Sequence, residues 1–298
     1  MAFLRTESGL SNLRLFYDSE IVIFTEGGER SLSIADVEGG ACNQSSIDAV
    51  FWRNVLRASG YDAQIEFRPV GSKSTLNIIC QKILDGEIEN VAIAADRDMD
   101  GVVGGVYQSP RIMYTKGYSW ENDVFTKELT QKQIESMLLL VNVPAQVQET
   151  IEDAYANFEV IGRHLARIEV LFRQQGVRFI SECGGERFFN GKKSPYIDKG
   201  QIAKLINEKK TLVQRPLVSP NPQLDLCPLM SNYGKLIKAL SIAVITYVCR
   251  TFGDIKSIPI DMLTSSMLER FIRKIEASAD EYYTGITHDL LSDLGMQS

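Results

Sequence analysis

The 298-residue chain has a formal net charge of −6, with 44% hydrophobic and 23% charged residues. This balance is ordinary for a globular protein without low-complexity tracts, argues against a generally basic nucleic-acid binder, and suffices for one large domain or two of ordinary size. Five scattered cysteines, an odd number with no Cys-x-x-Cys pair, and only two histidines argue against a disulfide framework and a structural zinc site.

The first twenty residues have no continuous apolar core of the signal-peptide kind. The most apolar run, 239–249, is shorter than the roughly 20 residues that cross a bilayer, so it reads as a buried core helix. A cytoplasmic protein with no membrane partner is expected.

In chain order, Ile21-Val22-Ile23-Phe24 lacks polar alternation and predicts a strand buried on both faces. It runs into Glu26-Gly27-Gly28, and a second Glu-Gly-Gly follows at 38–40. Between them, residues 31–37 carry polar residues at alternate positions and read as an edge ribbon. A helix is expected from about 45 to 60, capped by Ser45 or Ser46, stopped by Gly60 and striped by Val50, Phe51, Val55 and Leu56. Residues 63–70 read as a second strand, 71–86 as a helix between glycines, 89–96 as a third strand and 111–118 as a fourth. Strand and helix alternating at this spacing predict a parallel sheet with helices on its faces.

Beyond about Phe125 the character changes. Residues 127–141, 143–175, 199–210, 232–252 and 261–283 read as helices, with Pro144 in a first turn and a proline-rich loop at 212–229. The expected class is α/β: a parallel-sheet domain over 1–125, then an all-α domain over 126–298. Residues 182–215 hold eight basic and four acidic residues, a local +4 against −10 for the remainder. This segment reads as a solvated lysine-rich face, with a phosphate-contacting surface as the alternative.

The sharpest chemical signal is at 91–101, where an apolar strand leads into Asp96, Asp98 and Asp100 and then a glycine. Ligands of open α/β sheets bind beyond the carboxyl ends of the strands. If the chain stayed extended, the period-two spacing would aim all three carboxylates one way. Such a set needs a cation, and hard oxygen donors suit Mg²⁺ or Mn²⁺. An EF-hand does not fit, because the run follows a strand. Glu26, at another strand end, is the natural second contributor.

These residues resemble the Toprim family of primases, topoisomerases and overcoming-lysogenization-defect nucleases. A first strand ends in Glu-Gly, an Asp opens the next helix and a later strand ends in Asp-x-Asp. Residues 48–52, Asp-Ala-Val-Phe-Trp, resemble the Asp-x-x-Phe-Tyr of stand-alone Toprim nucleases of defence systems. Residues 117–122, Gly-Tyr-Ser-Trp-Glu-Asn, resemble their Ser-x-Glu-Asn motif, and the turn before Lys73 sits where they carry a Gly-Gly-Lys type turn. Size and layout are most similar to the Toprim effectors of the phage anti-restriction-induced system. The motifs cover only about residues 20–125. Asp48 lies 22 residues beyond Glu26, where most relatives have a gap of a few. Either an insertion follows Glu26 or Glu38 is the family glutamate; the buried strand before Glu26 favours Glu26.

The resemblance implies an Mg²⁺-dependent endonuclease in which Glu26, Asp96 and Asp98 hold one or two metal ions. Asp100, Asp48 and Glu121 are candidates for a second metal or its waters, and Lys73 for offsetting the scissile phosphate. A solvent-facing lysine is the plainer account of Lys73, and core packing that of Tyr118 and Trp120. The resemblance further implies an ABC-type ATPase partner that holds the effector inactive, tRNA as the favoured substrate and an active homodimer. A DNA-directed nuclease, a phosphoacceptor domain and a metal-stabilised interaction subunit are the competing readings.

Overall fold

The computed structural model describes residues 9–44, 46–180, 184–217 and 224–296. Ser45, Glu182, Cys183 and residues 218–223 of the proline-rich stretch lie outside the described residues. The protein is a mixed α/β chain whose residue contacts divide it into two compact units. The sheet unit comprises Met1–Asp96, Val106–Thr115 and Ile272–Ser298; the helical unit comprises Arg97–Gly105 and Lys116–Phe271. Each unit therefore draws on more than one chain segment, where the change of character near Phe125 suggested a single cut.

In the sheet unit, the short helix α1 (Leu13–Phe16) is followed by β1 (Ile21–Thr25), β2 (Ile65–Pro69), β3 (Val91–Ala95) and β4 (Ile112–Tyr114), strands that form one parallel sheet in the order β2-β1-β3-β4. The two central strands, β1 and β3, are buried along their whole length, which explains their unbroken apolar sequences. Val22, Phe24, Val91 and Ile93 share a core with Leu76, Ile79 and Ile83 of α4 (Lys73–Leu84). Ile23 and its register partner Phe67 have the opposite parity and face the other side. There Arg53 of α3 (Ile47–Ala58) lies 5.3 Å from the Phe67 ring centroid. Phe51 and Trp52 of α3 pack edge-on against Tyr283, each at 6.0 Å.

Three local expectations change. Residues 31–37 are no edge ribbon: α2 (Ile34–Glu38) forms there. Its cause is a capping box, in which the Ser33 hydroxyl accepts from the Asp36 N–H while the Asp36 carboxylate accepts from the Ser33 N–H at 2.9 Å. That local pair outweighs the alternating pattern. Val50 is exposed, and Ala49 and Trp52 join Phe51, Val55 and Leu56 on the buried stripe of α3. The single helix expected over 261–283 is two, α10 (Ile260–Ala277) and α11 (Glu281–Asp293). Asp280 starts the second by accepting from the N–H groups of Tyr282 and Tyr283.

In the helical unit, α5 (Trp120–Val124), α6 (Lys127–Met137) and α7 (Ala145–Arg173) pack around α9 (Gly234–Gly253). The 3-10 turn Gly185–Phe188 also lies on α9, and α8 (Lys199–Lys210) packs against that turn. At 20 residues α9 is longer than its most apolar run, long and apolar enough by length and composition alone to cross a membrane. Its buried face is the core of this unit: Thr130 of α6 hydrogen-bonds both Tyr155 of α7, at 2.7 Å, and Ser241 of α9, at 2.6 Å. Three buried hydroxyls thereby satisfy one another and fix three helices.

Candidate metal centre

Glu26 follows β1 directly, and Asp96 follows β3 directly. The two strands are parallel neighbours in which Thr25 pairs with Ala94, so the acidic residues leave the same edge of the sheet one register step apart. Parallel strands lie about 4.8 Å apart. The placement follows from the sequence: each strand is an apolar run that must be buried, and each ends where its first carboxylate arrives.

Asp48, in the first turn of α3, is brought to the same place. A Cβ on Gly27 would stand 2.0 Å from the Asp48 carboxylate oxygen Oδ2 and 2.6 Å from Ser46 Oγ. Glycine here permits the turn after Glu26 to lie against the start of α3. Ser46 caps that helix by accepting from the Ala49 N–H at 3.1 Å. On the other side, the Gly71 N–H donates to the Gly27 carbonyl at 3.1 Å, which sets the turn after β2 beside the turn after β1. Lys73, half-buried, opens α4 immediately afterwards, with Ser72 as its N-cap.

The residues between Glu26 and Asp48 fold back on the sheet. Buried Asn43 accepts from the Arg30 N–H and donates to the Arg30 carbonyl, both at 3.0 Å, and its own N–H donates to the Pro69 carbonyl at 3.0 Å. The long excursion is therefore closed at its base, and Asp48 returns to Glu26 despite the sequence gap. Glu38 does not share this position. It ends α2 and pairs with Lys82, in the last turn of α4, at 3.7 Å.

The aspartate run does not remain extended. Asp98 takes a left-handed backbone, φ 53°, and Met99 turns inward to 3% exposure. The Val102 and Val103 N–H groups both donate to the Met99 carbonyl, so residues 98–104 form a compact turn. Asp96 belongs to the sheet unit, Asp98 and Asp100 to the helical unit.

Within the helical unit, Asp98 is held by a relay. Its N–H donates to the Tyr118 carbonyl at 2.7 Å, and its charge acts on the Tyr118 hydroxyl. Arg173 donates to that hydroxyl at 2.5 Å and to Glu169 at 2.7 Å, and the second Glu169 oxygen accepts from the Ile180 N–H. Burial, then the Asp98 charge, pushes the Tyr118 hydroxyl far above its ordinary range. Burial alone would lower the Arg173 guanidinium, but Tyr118, Glu169 and Asp98 outweigh it and raise it. Sequence reasoning considered Tyr118 as core and missed Arg173 and Glu169. Their i,i+4 spacing on a long helix was the available signal.

Glu121 stands elsewhere in the helical unit. It accepts from the Ser119 hydroxyl at 2.6 Å and lines a cavity with Lys235 and Lys238. Asn122 of the same motif donates to the Leu229 and Asn232 carbonyls. Tyr118 and Trp120 are both buried. Among the described residues, no three His, Cys, Asp or Glu side chains already stand close enough to hold a metal ion between them. What Glu26, Asp48 and Asp96 offer is carboxylate oxygen, the donor type that suits Mg²⁺ and Mn²⁺. Comparison with protein-family models finds no match for the chain, and comparison with curated proteins finds none.

Proposed function

We propose that the protein is a metal-dependent endonuclease of Toprim type. The observation that carries the proposal is the register of β1 and β3, which sets Glu26 and Asp96 at the same edge of adjacent central strands. Glu26 and Asp96 are the proposed metal ligands. Asp48, pressed against the Gly27 backbone, is the proposed holder of the metal's waters, and Lys73, at the start of α4, the proposed contact to a phosphate oxygen. Mg²⁺, when bound, supplies the positive charge that activates water and stabilises the leaving oxygen. The protein's own part is to fix carboxylates at a sheet edge, where paired acids resist closing together until a cation offsets their repulsion.

RNA is the proposed substrate class, tRNA in particular, and an ATPase that restrains the nuclease is the proposed partner. These rest on resemblance to the effectors of the phage anti-restriction-induced system, as do antiviral defence and an active dimer. The test is incubation of the purified chain with Mg²⁺ or Mn²⁺ and tRNA, other RNA or DNA, with and without EDTA. Metal-dependent cleavage that disappears in Asp96→Asn is expected. Absence of cleavage of every nucleic acid by protein freed of any partner would sink the nuclease reading.

A further inference from the structure

The helical unit holds a cavity of about 700 Å³, within the range of about 300–1,000 Å³ usual for small-molecule sites. One face of α9 forms its floor: Lys235, Lys238, Ala239, Ile242, Ala243 and Thr246 recur at helical spacing. The facing wall is the 3-10 turn with the loop after it, which contributes Glu186, Phe189, Asn190 and Lys192; Glu121 of α5 also lines the space. That wall sits directly on the helix backbone. A Cβ on Gly185 would stand 2.1 Å from the Lys235 carbonyl oxygen, and one on Gly191 would stand 2.8 Å from Ala243 Cα. Backbone contact, rather than movable side chains, therefore sets the width of the cavity.

Its chemistry is mixed in a particular way. Two carboxylates, Glu121 and Glu186, disfavour a plain anion; three ammonium groups disfavour a plain hydrocarbon. Phe189 offers a flat aromatic ring and Ile242 aliphatic surface, and Asn190 offers both a donor and an acceptor. A nucleotide needs this combination: apolar surface for the base, acceptors for its amino and imino groups, and cations for the phosphate. We propose that this cavity binds a nucleoside monophosphate unit, with the phosphate on Lys238 and its neighbouring lysines and the base against Phe189 and Ile242.

Lys238 is the anchor. Its ammonium lies 5.8 Å from the ring centroid of buried Phe125. Burial lowers its pKa, and the carboxylates of Glu121, Asp261 and Glu186 recover part of that loss. A phosphate would stabilise the charged form where burial disfavours it. The nucleotide has two possible sources, a free metabolite or a base extruded from a strand. The loop and α8 after Lys192 expose Lys193, Lys199, Lys204 and Lys210, cations suited to the neighbouring phosphates of a strand. The strand source rests on the nuclease reading; the free-nucleotide source does not.

The test is calorimetric titration of the full chain, in EDTA, with the four 5′-nucleoside monophosphates, their nucleosides, ribose 5-phosphate and a single-stranded RNA pentamer. At least one monophosphate is expected to bind, at least about tenfold more tightly than its nucleoside or ribose 5-phosphate. Lys238→Gln should weaken it by about tenfold or more, and Thr246→Trp, which fills the cavity from a half-exposed position, should abolish it, with circular dichroism reporting an intact fold. Tighter binding of the pentamer assigns the strand source, and tighter binding of the monophosphate the free one. No monophosphate binding at millimolar concentration, or unchanged binding in both folded variants, would overturn the proposal. Binding by a protein that cleaves nothing would remove the nuclease reading and leave this site standing.

Discussion

Arg173 donates to the Tyr118 hydroxyl at 2.5 Å, and that hydroxyl feels the charge of Asp98, whose N–H donates to the Tyr118 carbonyl at 2.7 Å. Glu169, 4% exposed, completes the relay through the same guanidinium. Arg173→Leu leaves the Glu169 carboxylate buried without its cation, a loss that typically costs about 3–5 kcal/mol. Tyr118→Phe removes only the hydroxyl and should cost about 1–3 kcal/mol. Urea unfolding of both variants measures the difference. Equal, negligible losses would show that the relay does not hold the Asp98 turn.

Much of this arrangement was legible in the sequence. The apolar runs before Glu26 and Asp96 announced buried parallel strands, and the strand–helix alternation announced the sheet. The position of Asp48 was not legible, because its return to Glu26 depends on Asn43 bonding across to Arg30 and to Pro69. No periodicity encodes such a bond. The left-handed Asp98 was hidden too: spacing by two predicts alignment only while the chain is extended. The capping box at Ser33 was written in the sequence, as a Ser three residues before an Asp, but the alternation of residues 31–37 masked it.

The two Glu-Gly-Gly copies have separable consequences. Glu26→Gln should abolish metal-dependent cleavage; outer-sphere partners are typically worth about 10–100-fold, and a direct ligand should exceed that. Glu38→Gln weakens a partly exposed ion pair with Lys82, so activity should stay at the wild-type level and stability should change by less than about 1 kcal/mol. Cleavage assays on both variants, with Asp98→Ala and Asp100→Ala beside them, decide the ligand set. Full activity in Glu26→Gln with loss in Glu38→Gln would reverse the assignment.

Gly27→Ala tests the juxtaposition of Glu26 and Asp48. The added methyl would meet Asp48 Oδ2 at 2.0 Å and Ser46 at 2.6 Å, so the start of α3 must move away from the turn. Overpacking of this kind costs about 1–3 kcal/mol. A folded, destabilised variant with reduced metal-dependent cleavage is expected, checked by thermal melts and the same nuclease assay. Wild-type melting would show that the contact yields without consequence.

Alkaline pH should destabilise the fold through groups whose protons the native state retains. Burial raises the Tyr155 hydroxyl to about 12 from an ordinary 10.0, and the Cys249 thiol to about 11 from 9.0. Burial raises Tyr118 and Tyr61 as well. In each case the unfolded chain loses its proton first. Above about pH 9 the unfolded state therefore binds fewer protons than the native state, and stability falls with rising pH at up to about 1.4 kcal/mol per pH unit for each group. Stability contributed by these groups is complete below pH 9 and declines through pH 12. Denaturant midpoints measured from pH 7 to pH 11.5 should show a plateau and then a steepening fall. Tyr155→Phe cannot titrate, so its slope between pH 10 and pH 11.5 should be shallower than that of the wild type, even though loss of the bond to Thr130 lowers its plateau. A slope unchanged by Tyr155→Phe would mean that the Tyr155 hydroxyl ionises in the native protein as readily as in the unfolded chain.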